Sequence, residues 1–155
     1  MTEPYYITAS KKKCQASGMD PNEVSRPKKF LTEEEFKEKR KSYSEILSVV
    51  SFFSNKLLDS LKGTPILVVV SDVEGYLLDI EGDASINPVL DPFGITHGSL
   101  FTQEDPATTV IILALQQNHP ISIIGDQHYH TFLHEIACYG TAFYIRDENK
   151  LLGSV

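Results

Sequence analysis

The sequence predicts an α+β domain, in which helices flank an antiparallel sheet and a long helix stands near the N-terminus. Two observations indicate this class. Stretches of helical periodicity alternate with short runs rich in β-branched residues, and two of these runs, residues 66–70 and 75–80, are joined by turn-forming residues that suit a β-hairpin. Because strands joined by a hairpin are antiparallel, the helices are expected to cover the sheet rather than to connect parallel strands. The length of 155 residues corresponds to one domain.

The first long helix has recognisable start and stop signals. Thr32 is a favourable N-cap with Glu35 as its capping-box partner, and Gly63 followed by Pro65 ends the helical pattern. We therefore predict one helix over residues 32–61.

The apolar residues of this helix are too many for one narrow stripe. One set, Leu47, Val50, Leu57 and Leu61, keeps a three- and four-residue spacing, and a second set lies beside it. A face this wide can bury one side on the sheet and the other against a second helix. We therefore expect a homodimer through the 32–61 helix.

The C-terminal half continues the same alternation. A buried helix is expected to begin after Thr102 and to end near His119, and another helix is expected from about Gln127 to Ile136. The strands predicted in this half are residues 121–124, 138–145 and 151–155.

The chain is expected to divide into two parts. Residues 1–30 are polar and contain several prolines, so they are predicted to form a lead-in segment with at most a short helix. The domain proper is predicted to span residues 31–155. Because the last strand pattern runs to the final residue, we expect the domain to be part of a longer regulator.

Composition and charge argue against several classes of function. The net charge is −7 and the basic residues are interleaved with acidic ones, so direct nucleic-acid contact by this domain is not expected. No apolar run approaches the length of a membrane span and no signal-peptide pattern is visible, which predicts no membrane contact and a cytoplasmic location. Cys14 and Cys138 do not make a disulfide framework, and phosphate-loop and nucleophile-elbow motifs are absent from the sequence. The domain is therefore predicted to be non-enzymatic and to need no cofactor.

Several short motifs occur in a defined order along the chain. They are Cys14 with Gly18 and Asp20-Pro21, Ser71-Asp72 with Gly75, the stretch 98–104, His128-Tyr129 with His134 and Cys138, and the closing Leu151-Leu152-Gly153. In this order the chain resembles a GAF domain. More narrowly, it resembles the N-terminal sensory region of sigma-54-dependent transcriptional activators of the acetoin-catabolism and glycerol-utilisation type. The resemblance covers nearly the whole chain.

This resemblance implies a non-enzymatic sensory domain of a bacterial transcriptional activator. Such a domain would bind an unknown small-molecule effector between the sheet and its helices, and would signal to a downstream ATPase and DNA-binding module. Our candidates for contact with the ligand are Thr108, Thr109, Ile112, His128, Tyr129, Phe132 and Cys138.

The chain departs from the family pattern at the start of the buried helix. Where the family has residues close to Gly-Thr-Asn-Ala-Ile-Gly, residues 107–112 read Ala-Thr-Thr-Val-Ile-Ile. Ile112 in the place of a glycine adds bulk where a ligand could sit. An alternative hypothesis is therefore a ligand-free module that serves to dimerise.

A third hypothesis is a metal or redox sensor built from His130, His134 and Cys138. A continuous helix would align all three, since the histidines are four residues apart and the cysteine follows one turn later. However, Glu135 is on the wrong side for a His-Glu-x-x-His pair, and the family pattern contains His128 and His134 but not His130. We expect those two family histidines to bond backbone carbonyls and orient a loop, and Cys138 to be a buried structural thiol.

Overall fold

The computed structural model describes residues 3–102 and 109–155. Its helices are α1 (Tyr5–Ala16), α2 (Glu33–Ser42), α3 (Ser44–Ser60), α4 (Asn87–Leu90) and α5 (Val110–Gln116). Its strands are β1 (Leu67–Asp72), β2 (Leu77–Gly82), β3 (Ile121–Ile124), β4 (Ala137–Gly140), β5 (Ala142–Ile145) and β6 (Lys150–Ser154). Short 3-10 turns lie at Ala84–Ile86, Asp91–Phe93, Gly125–Gln127 and Thr131–Leu133.

The strands form an antiparallel sheet in the order β2-β1-β6-β5, and β3 pairs antiparallel with β4. β4 and β5 continue one another through Thr141, whose backbone N–H and C=O exchange hydrogen bonds with Val155 at 2.8 and 3.0 Å. The predicted hairpin is β1 and β2. The predicted α+β class, with helices flanking an antiparallel sheet, is confirmed.

Both faces of the sheet are covered, because its strands alternate apolar side chains between the two faces. On one face, Leu47 of α3 packs onto Val70 of β1 and Leu78 of β2. On the other face, Ile112 of α5 packs with Leu77 of β2 and with Phe101. We call these two surfaces the α3 face and the α5 face.

The N-terminal segment packs against the rest of the chain. The short helix expected there is α1, which buries Ile7 and Cys14 completely. Its Lys11 Nζ donates to the carbonyl of Asp126 at 2.8 Å, and further along the N–H of Thr131 donates to the carbonyl of Pro21 at 2.9 Å. Residues 3–30 therefore hold the segment that follows β3.

The prediction of one helix over 32–61 is wrong, because the helix divides at Tyr43 into α2 and α3. The capping box at its start is confirmed: Thr32 Oγ1 accepts from the N–H of Glu35, whose carboxylate accepts from the N–H of Thr32. The division has a tertiary cause. Tyr43 has φ −99° and ψ 8°, and its hydroxyl donates to the carbonyl of Leu152 on β6 at 2.7 Å. Anchoring this side chain in the core turns the backbone between the two helices.

The prediction of a helix from Gln127 to Ile136 is also wrong. That segment forms two 3-10 turns separated by extended residues. His128, Tyr129 and His130 are all buried, and three consecutive residues cannot all face inward from one narrow side of a surface helix. Gly125, with φ +58°, supplies the sharp turn that leads from β3 into this segment.

The buried helix of the C-terminal half is shorter than expected. It is α5, which begins at Val110 with Thr109 as its N-cap residue and buries Ile112, Leu113 and Ala114. Residues 103–108, over which its start was expected, lie outside the described residues.

Candidate functional site

Two of the histidines orient the segment that joins β3 to β4. His128 Nδ1 lies 3.0 Å from the carbonyl oxygen of Gly125, and His134 Nε2 lies 3.3 Å from the carbonyl oxygen of His128. This is the loop-orienting role expected for His128 and His134, and it is confirmed. Burial lowers the pKa of His128 below its ordinary value, so the ring is neutral at neutral pH.

His130 belongs to a column of stacked rings rather than to a polar cluster. It is 2% exposed and stacks on Phe132 with ring centroids 5.1 Å apart, while Phe132 stacks on Phe93 at 4.6 Å. Burial lowers the pKa of His130, and the neighbouring carbonyls of Pro21 and Glu23 only partly oppose this effect. His130 is therefore a neutral core residue beneath the N-terminal segment.

The geometry does not support the metal hypothesis. Within residues 3–102 and 109–155, no three His, Cys, Asp or Glu side chains are placed to share a metal ion. His130 lies in the aromatic column, and His134 is directed at a backbone carbonyl. Cys138 lies on β4 opposite Ile123 and is half-buried rather than buried as expected, and partial burial raises the pKa of its thiol to about 11. A thiol with that pKa is a poor nucleophile and a poor metal ligand at neutral pH, as expected of a structural cysteine.

Among the described residues, those predicted to contact a ligand fall into separate parts of the fold. Tyr129 packs with Cys14 and Met19 and donates its hydroxyl to the carbonyl of Met19, whereas Ile112 belongs to a separate cluster with Leu77 and Phe101. Phe132 and His128 belong to the segment described above, and Cys138 lies on β4. Thr108 lies outside the described residues. Thr109 precedes α5, and its hydroxyl oxygen is buried without a hydrogen-bond partner in the described part of the chain.

Ile112 fills space beside the turn between β1 and β2. Its Cδ1 lies 3.1 Å from the position that a Cβ on Gly75 would occupy. Ile112 shares a core cluster with Leu77 and Phe101, and Ile80 and Ile95, which line an open groove on the α5 face, pack against that cluster. The cluster that contains Ile112 therefore lies behind this groove.

The groove on the α5 face, which we call the loop groove, has a volume of about 360 Å³. Its walls are apolar side chains of β1, β2 and the connection that follows, with polar groups at the rim. The lining residues are Leu67, Ile80, Gly82, Ile86, Asn87, Asp91, Ile95, Thr96 and His97. No sequence motif marks this site, because its rim comes from a stretch whose only signal is turn chemistry.

A second groove lies on the α3 face, between α2, α3 and the edge strand β2. This helix groove has a volume of about 600 Å³ and is mostly polar. The lining residues are Arg40, Ser44, Leu47, Ser48, Ser51, Phe52, Asn55, Asp79 and Glu81. Two contacts organise it: Arg40 Nη1 lies 3.3 Å from Asp79 Oδ1, and the Ser51 hydroxyl donates to Glu81 Oε1 at 2.5 Å.

The outer surface of α3 is apolar beside this groove. The exposed side chains are Val49, Phe52, Phe53, Leu57 and Leu61, with Phe53 64% exposed. The apolar set predicted to contact a second copy, Leu47, Val50, Leu57 and Leu61, is only partly exposed. Leu47 and Val50 belong to the core cluster on the sheet, and only Leu57 and Leu61 of that set are exposed.

The Ser71-Asp72 and Gly75 motif has a structural explanation. Asp72 is 1% exposed, and its Oδ1 accepts three backbone N–H groups, from Glu74, Gly75 and Tyr76, at 2.9–3.0 Å. Its Oδ2 pairs with Lys39 of α2. The motif therefore fixes the β1–β2 turn and joins it to α2.

Comparisons with known proteins support a regulatory role. No protein-family model matches the chain. It is 24% identical over 132 residues to the acetoin dehydrogenase operon transcriptional activator AcoR of Bacillus subtilis, covering 85% of this chain and 22% of AcoR. It is 28% identical over 101 residues to the propane 2-monooxygenase operon transcriptional activator MimR of Mycolicibacterium goodii, covering 64% of this chain and 17% of MimR. It is also 24% identical over 139 residues to an uncharacterized 47.3 kDa protein of Rhodococcus erythropolis, covering 89% of this chain and 31% of that protein.

The fold has a counterpart among solved structures. The crystal structure of the Escherichia coli DhaR(N)–DhaL complex matches with a TM-score of 0.85 and 16% identity, over 97% of this chain and 51% of that chain. The chain spans less than a third of the length of the curated relatives named above. The predicted resemblance to the sensory region of sigma-54-dependent transcriptional activators is confirmed, and the GAF-like fold with it. No helix in the described part of the chain is both long and apolar enough to cross a membrane.

Proposed function

We propose that this chain is the small-molecule-sensing input domain of a bacterial transcriptional activator that acts in the cytoplasm. It performs no catalysis and passes its ligand state to an ATPase and DNA-binding module in the same protein. Two observations support this proposal: relatives over most of the chain are transcriptional activators, and the N-terminal part of DhaR shares the fold over 97% of the chain.

The loop groove is the proposed ligand site. Its volume of about 360 Å³ lies in the range of small-molecule sites, and it combines apolar walls with a few convergent polar groups. Asp91, Thr96 and His97 stand at the rim, so we propose a ligand with a small apolar body and a polar group that hydrogen-bonds there. Of the ligand candidates from the sequence we retain Ile112, because it belongs to the cluster against which the lining residues Ile80 and Ile95 pack.

Contacts around the loop groove give a ligand a way to shift the domain between two arrangements. Arg26 Nε donates to the carbonyl of Pro92 at 2.7 Å, and Phe93 stacks on Phe132. The rim of the groove is therefore held by the N-terminal segment on one side and by the histidine-containing segment on the other. A ligand that binds more tightly when these contacts are rearranged would shift the domain to that arrangement.

We also propose that the domain forms a homodimer through α3. Four large apolar side chains of α3 and Leu61 at its C-cap are exposed, and a contiguous apolar surface of this kind is typical of interaction sites. Because a two-fold interface uses the same patch on both subunits, a second α3 presents a matching apolar surface. The same surface is what a ligand-free dimerisation module would use.

A thermal-shift screen tests the ligand proposal. The probe is a library of small alcohols, ketones and carboxylates, measured on the wild type, on Thr96→Trp and on Glu148→Trp. Thr96 is an exposed rim residue, so tryptophan there blocks the groove, whereas Glu148 is exposed in the turn between β5 and β6. We expect a ligand that raises the Tm of the wild type and of Glu148→Trp but not of Thr96→Trp. A library that leaves the wild-type Tm unchanged, or equal shifts in all three proteins, would contradict the proposal.

A further inference from the structure

Helix α2 is held to the domain by side-chain contacts at its surface rather than by buried apolar residues. All ten of its residues lie in the described part of the chain, and none of them is buried. A helix of this length is marginal on its own in water, so α2 depends on the contacts that dock it. Because segments with few buried apolar groups open locally at low free energy, α2 responds to small changes in those contacts.

The start of α2 packs beside the rim of the loop groove. The N–H of Leu31, just before the helix, donates to the carbonyl of Gly98 at 2.9 Å. At this point the two segments are in contact, since the Cβ position of Gly98 is 3.6 Å from Leu31 Cβ and from Phe36 Cδ2. The ring of Phe36 also meets the ring of His97 edge to face, with centroids 5.8 Å apart. His97 lines the loop groove, so the groove and α2 share this ring.

His97 reaches the last turn of α2 as well, through Asp79 of β2. His97 Nε2 lies 3.7 Å from Asp79 Oδ1, and the same oxygen lies 3.3 Å from Arg40 Nη1. The Asp79 side chain is 13% exposed, so water and salt screen these contacts less than on an open surface. His97 therefore touches α2 directly at Phe36 and, through Asp79, at Arg40.

A separate pair of contacts fixes the C-terminal end of α2. Lys39 pairs with Asp72 of the β1–β2 turn, and the hydroxyl of Tyr43 donates to the carbonyl of Leu152. None of these four residues lines the loop groove. They therefore form a pivot about which the N-terminal part of α2 can move.

We infer that His97 is a positioning residue that couples the loop groove to α2, so that a group bound against its ring moves the helix. This coupling rests on the ligand site proposed above and is the step by which occupancy of that site changes the domain. A ligand that hydrogen-bonds to His97 competes with Asp79 for the ring and weakens its packing on Phe36. The start of α2 then loosens, while its end stays fixed at Lys39 and Tyr43.

A covalent probe tests this coupling without a natural effector. Thr96→Cys is labelled with propyl methanethiosulfonate, which forms a disulfide with the new thiol, releases methanesulfinate and leaves a propylthio group at the loop groove. Cys14 is 1% exposed and the pKa of Cys138 is raised to about 11, so the introduced thiol reacts first, which mass spectrometry verifies. The control is Glu148→Cys with the same label, since Glu148 is exposed in the turn between β5 and β6.

Amide hydrogen exchange reports the response of α2. We expect the label on Thr96→Cys to speed exchange in residues 35–40 about fivefold or more, with α3 unchanged. The label on Glu148→Cys should leave both helices unchanged. In Thr96→Cys/His97→Ala the label should no longer alter exchange in residues 35–40, because the ring that transmits it is gone. A merely structural role of His97 would change only the rate without the label.

The outcomes separate this coupling from the sensor function. Unchanged exchange in residues 35–40 of labelled Thr96→Cys overturns the coupling, and so does an equal rise in α3, which indicates general destabilisation. A rise that persists in Thr96→Cys/His97→Ala overturns the role of His97. A thermal-shift screen that finds no ligand overturns the sensor function instead, and the labelled protein still shows whether the loop groove and α2 are coupled.

Discussion

Replacing Asp72 tests how the β1–β2 turn is held. The carboxylate is 1% exposed and accepts three backbone N–H groups through Oδ1, while Oδ2 faces Lys39. Asp72→Ala removes all four interactions and leaves the buried Gly75 N–H without its side-chain acceptor. Asp72→Asn keeps the Oδ1 acceptor and removes only the charge.

The magnitudes follow from what each variant leaves unpaired. A hydrogen bond to a charged group contributes about 1.5–3 kcal/mol and such contributions do not add, so we expect Asp72→Ala to lower the free energy of unfolding by about 3–5 kcal/mol. The Lys39 side chain is 29% exposed, and water can replace much of its interaction with Asp72. Asp72→Asn and Lys39→Met should therefore each cost about 1–2 kcal/mol.

Urea unfolding followed by circular dichroism measures these differences, and the Tm of Asp72→Ala should fall by about 6–20 °C. The double variant Asp72→Asn/Lys39→Met should cost less than the sum of the single changes, since both remove the same ion pair. A loss below about 1 kcal/mol for Asp72→Ala, or equal losses for the Ala and Asn variants, would refute the claim that the carboxylate organises the turn.

Three further predictions concern buried groups. Burial lowers the folded-state pKa of His128 and His130, so below about pH 6.5 the unfolded chain binds more protons than the folded domain. The urea concentration at the unfolding midpoint should therefore decrease as the pH is lowered from about 7.5 to about 5.5. A midpoint that stays constant over this range contradicts the prediction. Gly75→Ala should destabilise the fold by at least about 2 kcal/mol, because its Cβ would stand 2.2 Å from a backbone carbonyl oxygen. Gly18→Ala is the matched control for urea unfolding, since Gly18 also has positive φ but nothing lies within 4 Å, and similar losses in both would contradict a steric cause. Half-buried Cys138 should react with an aromatic disulfide reagent at about pH 8 much more slowly than a free thiol, because its pKa is raised to about 11 and little thiolate is present; a rate near that of a free thiol would contradict this.

Local signals in the sequence predicted the features that depend on a few neighbouring residues. The capping box of Thr32 and Glu35 involves residues three apart, and the turn at Asp72 and Gly75 is specified by side-chain acceptors and by a glycine φ of +98°. Hairpin pairing and the α+β class follow from such local preferences, because the alternation of a strand and the stripe of a helix are periodic along the chain.

Tertiary contacts decided what periodicity alone left open. Tyr43 divides the first long helix because its hydroxyl bonds to Leu152, more than a hundred residues away. The histidine-containing segment is not a helix, because its consecutive side chains are buried under an N-terminal segment that no local pattern places there. The loop groove forms where the connection after β2 folds back beside β1 and β2, and no periodic pattern in the sequence indicates that path.

Tertiary contacts also determine which side of α3 faces outward. A helix with more apolar residues than one stripe can hold has two possible sides to bury, and the sequence alone determined only that both were apolar. Packing against Val70 and Leu78 buried Leu47 and left Phe53 in contact with water. The reason is physical: the burial of a side chain depends on the surface brought against it, and that surface is made by residues far away in the chain.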